Sequence, residues 1–221
     1  LIAEDGVSVA GLVQAVQDVL QSSSPLVPVL QPHATRLLAL VGGLTLHPVA
    51  QLLLTAAQTA RPAHYAHAVA AMALNGALMA ADGGDDVAVR LALLSGLLHD
   101  VGEMYIDPLH GEAEADRDLD FASYQRLVVH PHVGYLLVAQ LTNYPAEVAR
   151  AIAEHHERLD QSGYPNALGG GKMSPQGRLL AVTEATLNAL RSPYSHLLHA
   201  SVALRAVPGE FDLHWVGKIT Q

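Results

Sequence analysis

The chain has 221 residues, of which 50% are apolar, 15% are charged and none is cysteine. This length fits one large domain, or one domain with a small extension, and the lack of cysteine excludes disulfides and thiolate metal sites. The formal net charge of −9 argues against binding to duplex nucleic acid, because such binding depends on Lys and Arg side chains that neutralise phosphates.

Imidazole is unusually abundant, with 13 histidines against 12 Lys and Arg together. Histidine is the commonest metal ligand among side chains, and these residues are scattered along the chain rather than consecutive. Leu and Ala dominate the apolar half of the sequence, and both are strong helix formers, while aromatic residues make up only 5%. The composition therefore predicts an all-α fold.

The first sixty residues predict three helices. Apolar residues recur at helical spacing over residues 7–20, 33–41 and 48–60. The first of these helices ends at a Ser-Ser-Ser-Pro breaker, and the second ends at Gly42-Gly43. Because no catalytic motif falls in this region, we interpret residues 1–60 as an N-terminal helical extension of a domain over 61–221.

From Pro62 onwards, the predicted helices carry ligand-type side chains. A helix is predicted over residues 63–81, and a second one by the stripe of Val87, Leu91, Leu94 and Leu98. A polar loop over residues 107–120 follows. Three more helices are then predicted by residues that share one face, with a long loop over 160–175 before the last helix. These faces consist of Leu127, His130, Gly134, Leu137 and Leu141; of Val148, Ile152 and His155; and of Leu180, Glu184 and Leu187.

Five polar residues occupy the apolar faces of successive helices: His67, His99, His130, His155 and Glu184. A buried imidazole or carboxylate is costly unless it is paired or bound to metal. Any one of them alone is better explained as a hydrogen-bonded core residue. A shared metal site explains all five together.

The motifs in this part of the chain resemble those of the HD-GYP family of metal-dependent phosphohydrolases. His99-Asp100-Val101-Gly102 is similar to the HD signature, and the run from His155 to Pro165, HHERLDQSGYP, is similar to the second signature of the family. The likeness extends from about residue 62 to 206. It implies an all-α HD-domain helical bundle and a phosphodiesterase that hydrolyses cyclic di-GMP to pGpG or GMP.

The resemblance also implies a set of metal ligands. They are His67, His99, Asp100, His130, His155, His156 and Glu184. Imidazoles mixed with carboxylates suit two divalent metal ions, Fe or Mn, and Asp100 is the residue best placed to bridge them. Two such ions activate water and clamp a phosphate, so that hydrolysis needs no protein nucleophile.

Other residues are candidates for supporting roles. Asp100, Glu103 and Tyr164 are the candidates for catalysis, and Tyr164 could also shape the loop or bind substrate. Arg178 and Arg191 are candidates for contact with substrate. Glu157 and Asp160 could orient the histidines.

The remaining histidines fit the ligand set less well. His64 is an alternative to His67, although the spacing from His67 to His99 fits the family better. His132 should point elsewhere on its helix. His110, His196, His199 and His214 have no motif context.

Several positions depart from the family pattern. Glu103 stands where the family has Lys, and it reverses the charge offered to a phosphate or binds metal itself. Glu184 stands where the family has Asp, so the carboxylate is carried by a longer side chain. Ser192 stands where the family has Arg, and the neighbouring Arg191 could take over that role. Ala63 replaces a Glu that brings a third metal ion to some members, which favours two.

These departures leave three hypotheses open. The first is an active cyclic di-GMP phosphodiesterase in bacterial second-messenger signalling. The second is a degenerate member that binds metal, nucleotide or protein and signals with weak or no catalysis. The third is a phosphohydrolase for another nucleotide.

The sequence also predicts the setting of the domain. No run of about 18 apolar residues marks a membrane span, and no secretory signal follows Leu1. We expect a cytoplasmic protein with no membrane contact within this sequence, and a regulatory domain outside it. The N-terminal helices are candidates for a homodimer interface.

Overall fold

The computed structural model describes residues 6–106, 120–192 and 195–221, and the described residues are all-helical. They form twelve α-helices and two 3₁₀ turns, and an isolated bridge between Asp160 and Gly169 is the extent of β pairing within them. The predicted all-α class is confirmed. Over the same ranges, no helix combines the length and apolar character that crossing a bilayer requires.

Four helices precede residue 61. They are α1 (Val9–Gln21), α2 (Val27–Leu30), α3 (Ala34–Gly42) and α4 (Pro48–Ala60), with a 3₁₀ turn at Gln31–His33. The three predicted helices are confirmed to within two residues at each end. The four-residue helix α2 was not predicted, because a segment this short shows no apolar periodicity.

Eight helices make up the remainder of the described chain. They are α5 (Pro62–Ala81), α6 (Asp86–Leu98), α7 (Phe121–Leu127), α8 (His130–Leu141), α9 (Ala146–Glu154), α10 (Pro175–Ala189), α11 (Leu197–Arg205) and α12 (Leu213–Lys218). The second 3₁₀ turn, Val101–Tyr105, follows α6. Helix starts are fixed by side chains that accept a hydrogen bond from a first-turn amide. These caps are Ser8, Asp85, Asp120, Ser174 and Asp212.

Helix α5 lies at the centre of the bundle, and almost every residue from Ala68 to Ala80 is buried. It packs tightly against α6, because a Cβ on Gly96 would lie 2.5 Å from the carbonyl oxygen of Ala71. Gly96 is three residues before His99, and Ala71 is four residues after His67. The close approach of the two backbones therefore brings these two histidines together.

A buried polar network joins α5 to two neighbouring helices. The Asn75 amide nitrogen donates to the carbonyl of Ala92 on α6 at 2.7 Å, and Thr183 Oγ1 on α10 donates to Asn75 Oδ1 at 2.7 Å. Both polar groups of Asn75 are satisfied, so the network costs little to bury. It fixes the relative positions of the helices that carry His67, His99 and Glu184.

The N-terminal helices share the hydrophobic core of the later ones. A single cluster of buried side chains runs from Val7 and Leu12 in the N-terminal region to Val216 and Ile219 at the end of the chain. The proposed boundary between residues 60 and 61 stays a prediction.

Two residues of the predicted apolar faces lie at the surface instead. Val87 is 63% exposed and Leu141 is 51% exposed. Val87 lies in the first turn of α6, and Leu141 is the last residue of α8. The predicted stripes therefore leave the core at these two positions. The prediction that Leu127 shares a helix with His130 was wrong, because Leu127 is the last residue of α7.

Candidate metal centre

Five helices bring their ligand-type residues to one place in the core. His67 lies in the second turn of α5, and His99 caps the C-terminus of α6. His130 is the first residue of α8, His155 caps the end of α9, and Glu184 lies in the middle of α10. Helix ends and buried faces therefore converge on a shared centre.

The seven expected ligands form two groups that share one residue. The first group contains Asp100, His130, His155 and His156, all of them buried, and its ligand atoms lie within 4.8 Å of one another. The second group contains His67, His99, Asp100 and Glu184, with the same limit on its ligand atoms. Each group has the size and composition of a metal-binding site.

Asp100 joins the two groups through its two carboxylate oxygens. Oδ1 lies 3.4 Å from Nε2 of His130 and 3.4 Å from Nε2 of His155. Oδ2 lies 3.1 Å from Nε2 of His99 and 3.6 Å from Nε2 of His67. One oxygen thus faces each group, which is the arrangement of a bridging carboxylate.

Backbone carbonyls fix the orientation of three of the imidazole rings. Nδ1 of His99, His130 and His155 donates to the carbonyl three residues earlier, at 2.7, 2.7 and 2.6 Å respectively. A carbonyl only accepts, so the proton must be on Nδ1. In the neutral ring, Nε2 then carries a lone pair that points into the centre, as a metal ligand requires.

The His130–His155 contact tests whether these residues fit a metal ion. Their Nε2 atoms lie 3.1 Å apart. Since both rings already hold a proton on Nδ1, two lone pairs face each other unless a proton or a cation lies beside them. The donor set therefore fits a divalent cation, and a buried cluster of this kind is difficult to explain without one.

Burial and neighbouring charges separate the histidines into two kinds. Burial and then the adjacent His156 lower the pKa of His155 to about 3. Burial and then His130 hold the pKa of His156 well below its usual value. For His99, burial acts to lower the pKa, but Asp100 and Glu184 outweigh it and raise the pKa well above the usual value. His155 and His156 are therefore neutral and available as ligands.

The two carboxylates of the centre are ionised despite their burial. Burial acts to raise the pKa of Asp100, but His99 and then the neighbouring imidazoles of His130 and His155 bring it well below its usual value. Burial likewise acts to raise the pKa of Glu184. His67 and His99 outweigh burial, so the pKa of Glu184 also lies well below its usual value. The centre thus holds two anionic groups, which favour a bound cation.

The two carboxylate oxygens of Glu184 have different partners: one faces two histidines and the other accepts a hydrogen bond from Asn188. Oε2 lies 2.7 Å from Nε2 of His67 and 3.1 Å from Nε2 of His99. Oε1 accepts a 2.9 Å hydrogen bond from the amide nitrogen of Asn188, one turn further along α10. Sequence reasoning missed Asn188, although the spacing of four residues on a predicted helix could have indicated it.

Glu154, which precedes the paired histidines, holds α9 to α10. Its buried carboxylate accepts from the backbone nitrogen of Ser174 at 2.7 Å and from the hydroxyl of Ser174 at 2.6 Å. Arg150 donates to its other oxygen at 2.8 Å. Ser174 is the N-cap of α10, so this carboxylate sets the position of the helix that carries Glu184. Sequence reasoning also missed this residue.

The two acidic residues that were expected to orient the histidines contact the loop after them. The fully buried Glu157 accepts from the backbone nitrogens of Asn166 and Leu168, both at 2.7 Å. The exposed Asp160 accepts from the backbone nitrogen and the hydroxyl of Ser162 at 3.0 and 2.6 Å. Both carboxylates therefore shape the 160–170 loop, and these contacts do not reach the imidazoles.

Tyr164 lies against the centre, whereas Arg178 holds the loop. The Tyr164 ring stacks on His156, with centroids 4.6 Å apart and an interplanar angle of 18°. Arg178 donates to the carbonyl of Gly170 and lies 3.6 Å from the Asp212 carboxylate. Arg191 is exposed in the turn after α10. Contact of any of these three with a substrate stays a prediction.

Glu103 and His64 form a buried pair beside the centre. Glu103 is 1% exposed, and its Oε2 lies 3.5 Å from Nδ1 of His64. Arg61 donates to the backbone carbonyls of Glu103 (2.8 Å) and Ile106. Neither His64 nor Glu103 belongs to the two ligand groups found in the described chain, which do include His67.

The other histidines lie away from the centre or outside the described ranges. His132 is exposed and stacks on Tyr135, and His196 stacks on His199. His214 contacts Asp82 at the surface. His110, the loop over 107–119, and positions 193 and 194 lie outside the described residues.

Comparison with known proteins agrees with this site. The model of the HD domain family matches residues 33–211. Among curated proteins, the chain is 34% identical over 172 residues to "Cyclic di-GMP phosphodiesterase PA4108" of Pseudomonas aeruginosa, a match that covers 75% of this chain and 41% of the relative. It is 32% identical over 119 residues to "Cyclic di-GMP phosphodiesterase response regulator RpfG" of Xanthomonas campestris, covering 52% of this chain and 31% of the relative.

A third curated relative and a solved structure complete the comparison. The chain is 35% identical over 100 residues to "3'3'-cGAMP-specific phosphodiesterase 2" of Vibrio cholerae, covering 43% of this chain and 18% of the relative. It superposes on Bd1817, an HDG"Y"P protein of Bdellovibrio bacteriovorus, with a TM-score of 0.60 at 16% identity, covering 98% of this chain and 73% of the other.

The similar structure supports the fold, and the chain spans less than half the length of the three curated relatives. The HD domain match and the cluster of histidines and acidic residues together indicate divalent metal binding. The family match covers most of the sequence, and the resemblance to the HD-GYP type is confirmed. The chain belongs to the HD domain family.

Proposed function

We propose that the chain binds two divalent metal ions, Fe or Mn, and hydrolyses cyclic di-GMP to pGpG or GMP. The observation that carries this proposal is the position of Asp100, which belongs to both ligand groups and turns one oxygen towards each. A carboxylate placed in this way can serve two adjacent cations, as in two-metal hydrolases of phosphate esters.

The chemistry of the ligands supports Fe or Mn. Three imidazoles and one carboxylate make up the first group, and two imidazoles and two carboxylates make up the second. Such mixed nitrogen and oxygen sets suit Fe and Mn, and without cysteine no thiolate favours zinc or copper. When bound, a pair of such ions lowers the pKa of water and neutralises phosphate charge.

The residues of the chain contribute position and electrostatics. The backbone carbonyls hold the rings of His99, His130 and His155 with Nε2 facing inwards. Burial keeps His155 neutral, because it lowers the pKa of this ring to about 3. Glu157 anchors the loop after the second signature, which supports the stacking of Tyr164 on His156. The centre is therefore preorganised before any substrate binds.

The relatives support a cyclic dinucleotide as the substrate. Two of them are named as cyclic di-GMP phosphodiesterases and the third as a 3'3'-cGAMP phosphodiesterase. A second candidate function follows from the last of these, namely hydrolysis of 3'3'-cGAMP. Glu103 supports a third candidate, a domain that binds metal and nucleotide with little turnover, because a carboxylate stands where the HD-GYP pattern has a cation.

The experiment compares metal content and products. Protein purified without chelator should contain about two Fe or Mn per chain by elemental analysis, and should convert cyclic di-GMP to pGpG or GMP by chromatography. The Asp100→Asn variant should lose both the metal ions and the cleavage of cyclic di-GMP. The control variant Asp18→Asn, at an exposed position in α1, should keep both. Cleavage of 3'3'-cGAMP alone would select the second candidate. Two metal ions with no cleavage of either compound would select the third.

Homodimerisation, a cytoplasmic location and control by a further domain are part of this proposal only as predictions from the sequence. None of them affects the ligand geometry on which the proposed reaction rests.

A further inference from the structure

Asn188 contacts the centre without belonging to either ligand group. It lies four residues after Glu184 on α10, and its amide nitrogen donates to Glu184 Oε1 at 2.9 Å. An ionised carboxylate only accepts hydrogen bonds, so the NH₂ group and not the oxygen of Asn188 must face it. The amide oxygen of Asn188 is buried and accepts no hydrogen bond from the described residues.

Burying the amide oxygen of Asn188 without a hydrogen bond costs free energy. This orientation of the amide therefore needs a favourable contact that offsets the cost. Leaving a buried acceptor unsatisfied costs about 1–3 kcal/mol. A hydrogen bond to an ionised group is stronger than a neutral one and offsets part of that cost. The balance indicates that the contact with Glu184 determines how the side chain of Asn188 is placed.

Glu184 needs such a contact because its side chain is long. A free glutamate rotates about three bonds, and either oxygen, or both, could face a metal ion. With Oε1 held by Asn188, only Oε2 faces His67 and His99, at 2.7 and 3.1 Å. The hydrogen bond therefore restricts the carboxylate to one ligand atom in the second group.

We propose that Asn188 is a positioning residue that fixes the single-oxygen geometry of Glu184 and thereby sets the metal affinity of the second group. The inference rests on the proposed metal centre. Partners of this kind are worth 10–100-fold in metal affinity. Among the described residues, no hydrogen bond links Asn188 to the first group, so we expect the metal affinity of that group to be independent of this side chain.

The test is a double-mutant cycle read by metal binding rather than by activity. Mn(II) is titrated against a competing chelator in the wild type, Asn188→Ala, Glu184→Asp and the double variant. Asn188→Ala should weaken one of the two Mn(II) ions by about tenfold or more and leave the other unchanged. In the Glu184→Asp background it should have no further effect, because the carboxylate is shorter by one bond of about 1.5 Å and no longer reaches Asn188.

Two further variants separate the hydrogen bond from packing. Asn188→Leu keeps the branching of the side chain and its number of non-hydrogen atoms but removes the donor, so it should weaken Mn(II) binding as much as Asn188→Ala does. Thr186→Val is the matched control on α10, because the Thr186 hydroxyl bonds only the carbonyl of Val182 within its own helix. This variant should retain both Mn(II) affinities.

Three results would overturn the inference. Wild-type affinity in Asn188→Ala and Asn188→Leu would show that the hydrogen bond does not act on the metal. An equal loss in both Glu184 backgrounds would assign the effect to packing of α10. If the wild type itself bound no Mn(II), the inference would fail together with the proposed function, whereas the first two results leave that function intact.

Discussion

Gly102→Ala tests the backbone contact that brings Asp100 against α8. A Cβ on Gly102 would lie 2.8 Å from the backbone nitrogen of Gly134 and 3.0 Å from the carbonyl carbon of His130, with the oxygen of that carbonyl nearer still. All three atoms are backbone, so no side chain can rotate to make room. The 3₁₀ turn after Asp100 and the helix that begins at His130 must therefore move apart.

The size of the movement follows from ordinary contact distances. Non-bonded carbon atoms approach to about 3.5 Å, so the 3.0 Å separation from the carbonyl carbon of His130 requires a shift of about 0.5 Å, and the closer nitrogen and oxygen require more. Overpacking of this kind costs about 1–3 kcal/mol, which for a chain of this size lowers Tm by about 2–12 °C. The shift also exceeds the roughly 0.5 Å tolerance of a preorganised site. We expect the first ligand group, which contains both Asp100 and His130, to lose its metal ion.

The assay combines thermal unfolding with elemental analysis of the same preparations. Gly42→Ala is the control, because a Cβ there meets only a side-chain carbon of Val13, at 3.7 Å. This control should keep the metal content of the wild type and at least its Tm. Unchanged Tm and metal content in Gly102→Ala would refute the argument that close backbone packing builds the site.

Three further substitutions test separate parts of the account. His67→Ala should reduce the metal content from two ions to one, and His64→Ala should not; the opposite result would exchange the two assignments. Glu157→Gln should remove one loop hydrogen bond and raise amide hydrogen exchange over residues 160–170 at a cost of about 1–3 kcal/mol; unchanged exchange would show that the carboxylate does not anchor the loop. Glu103→Lys should lower stability by about 3–5 kcal/mol without a gain in hydrolysis, because it buries an unpaired cation beside an imidazole; faster hydrolysis would show that Glu103 only repels substrate.

The all-α class and the convergence of ligand-type residues could be predicted from the sequence. Polar residues such as His130 and Glu184 stood on apolar helical faces, where only a partner or a metal ion makes them tolerable. The order of the two signatures then indicated which of the 13 histidines belong together. Local periodicity and motif spacing were sufficient for this, because each ligand lies in a helix or within two residues of a helix end.

Apart from Asn188, the residues that hold the ligands in place could not be predicted, because their partners are distant in the sequence. Glu154 accepts hydrogen bonds from Ser174, the N-cap of α10, 20 residues later, and Glu157 contacts amides 9 and 11 residues away. The glycine at position 102 is required by a carbonyl on another helix. Such contacts depend on how elements pack, and one sequence contains no periodic signal for them.

The central claim is that one carboxylate, that of Asp100, lies between two metal ions. Anomalous diffraction at the Fe and Mn absorption edges, from crystals of protein purified with its metal, tests it directly. We predict two peaks about 3.5–4 Å apart, one beside His130 and His155 and one beside His67 and His99. A single peak, or peaks that Asp100 does not contact, would contradict the account.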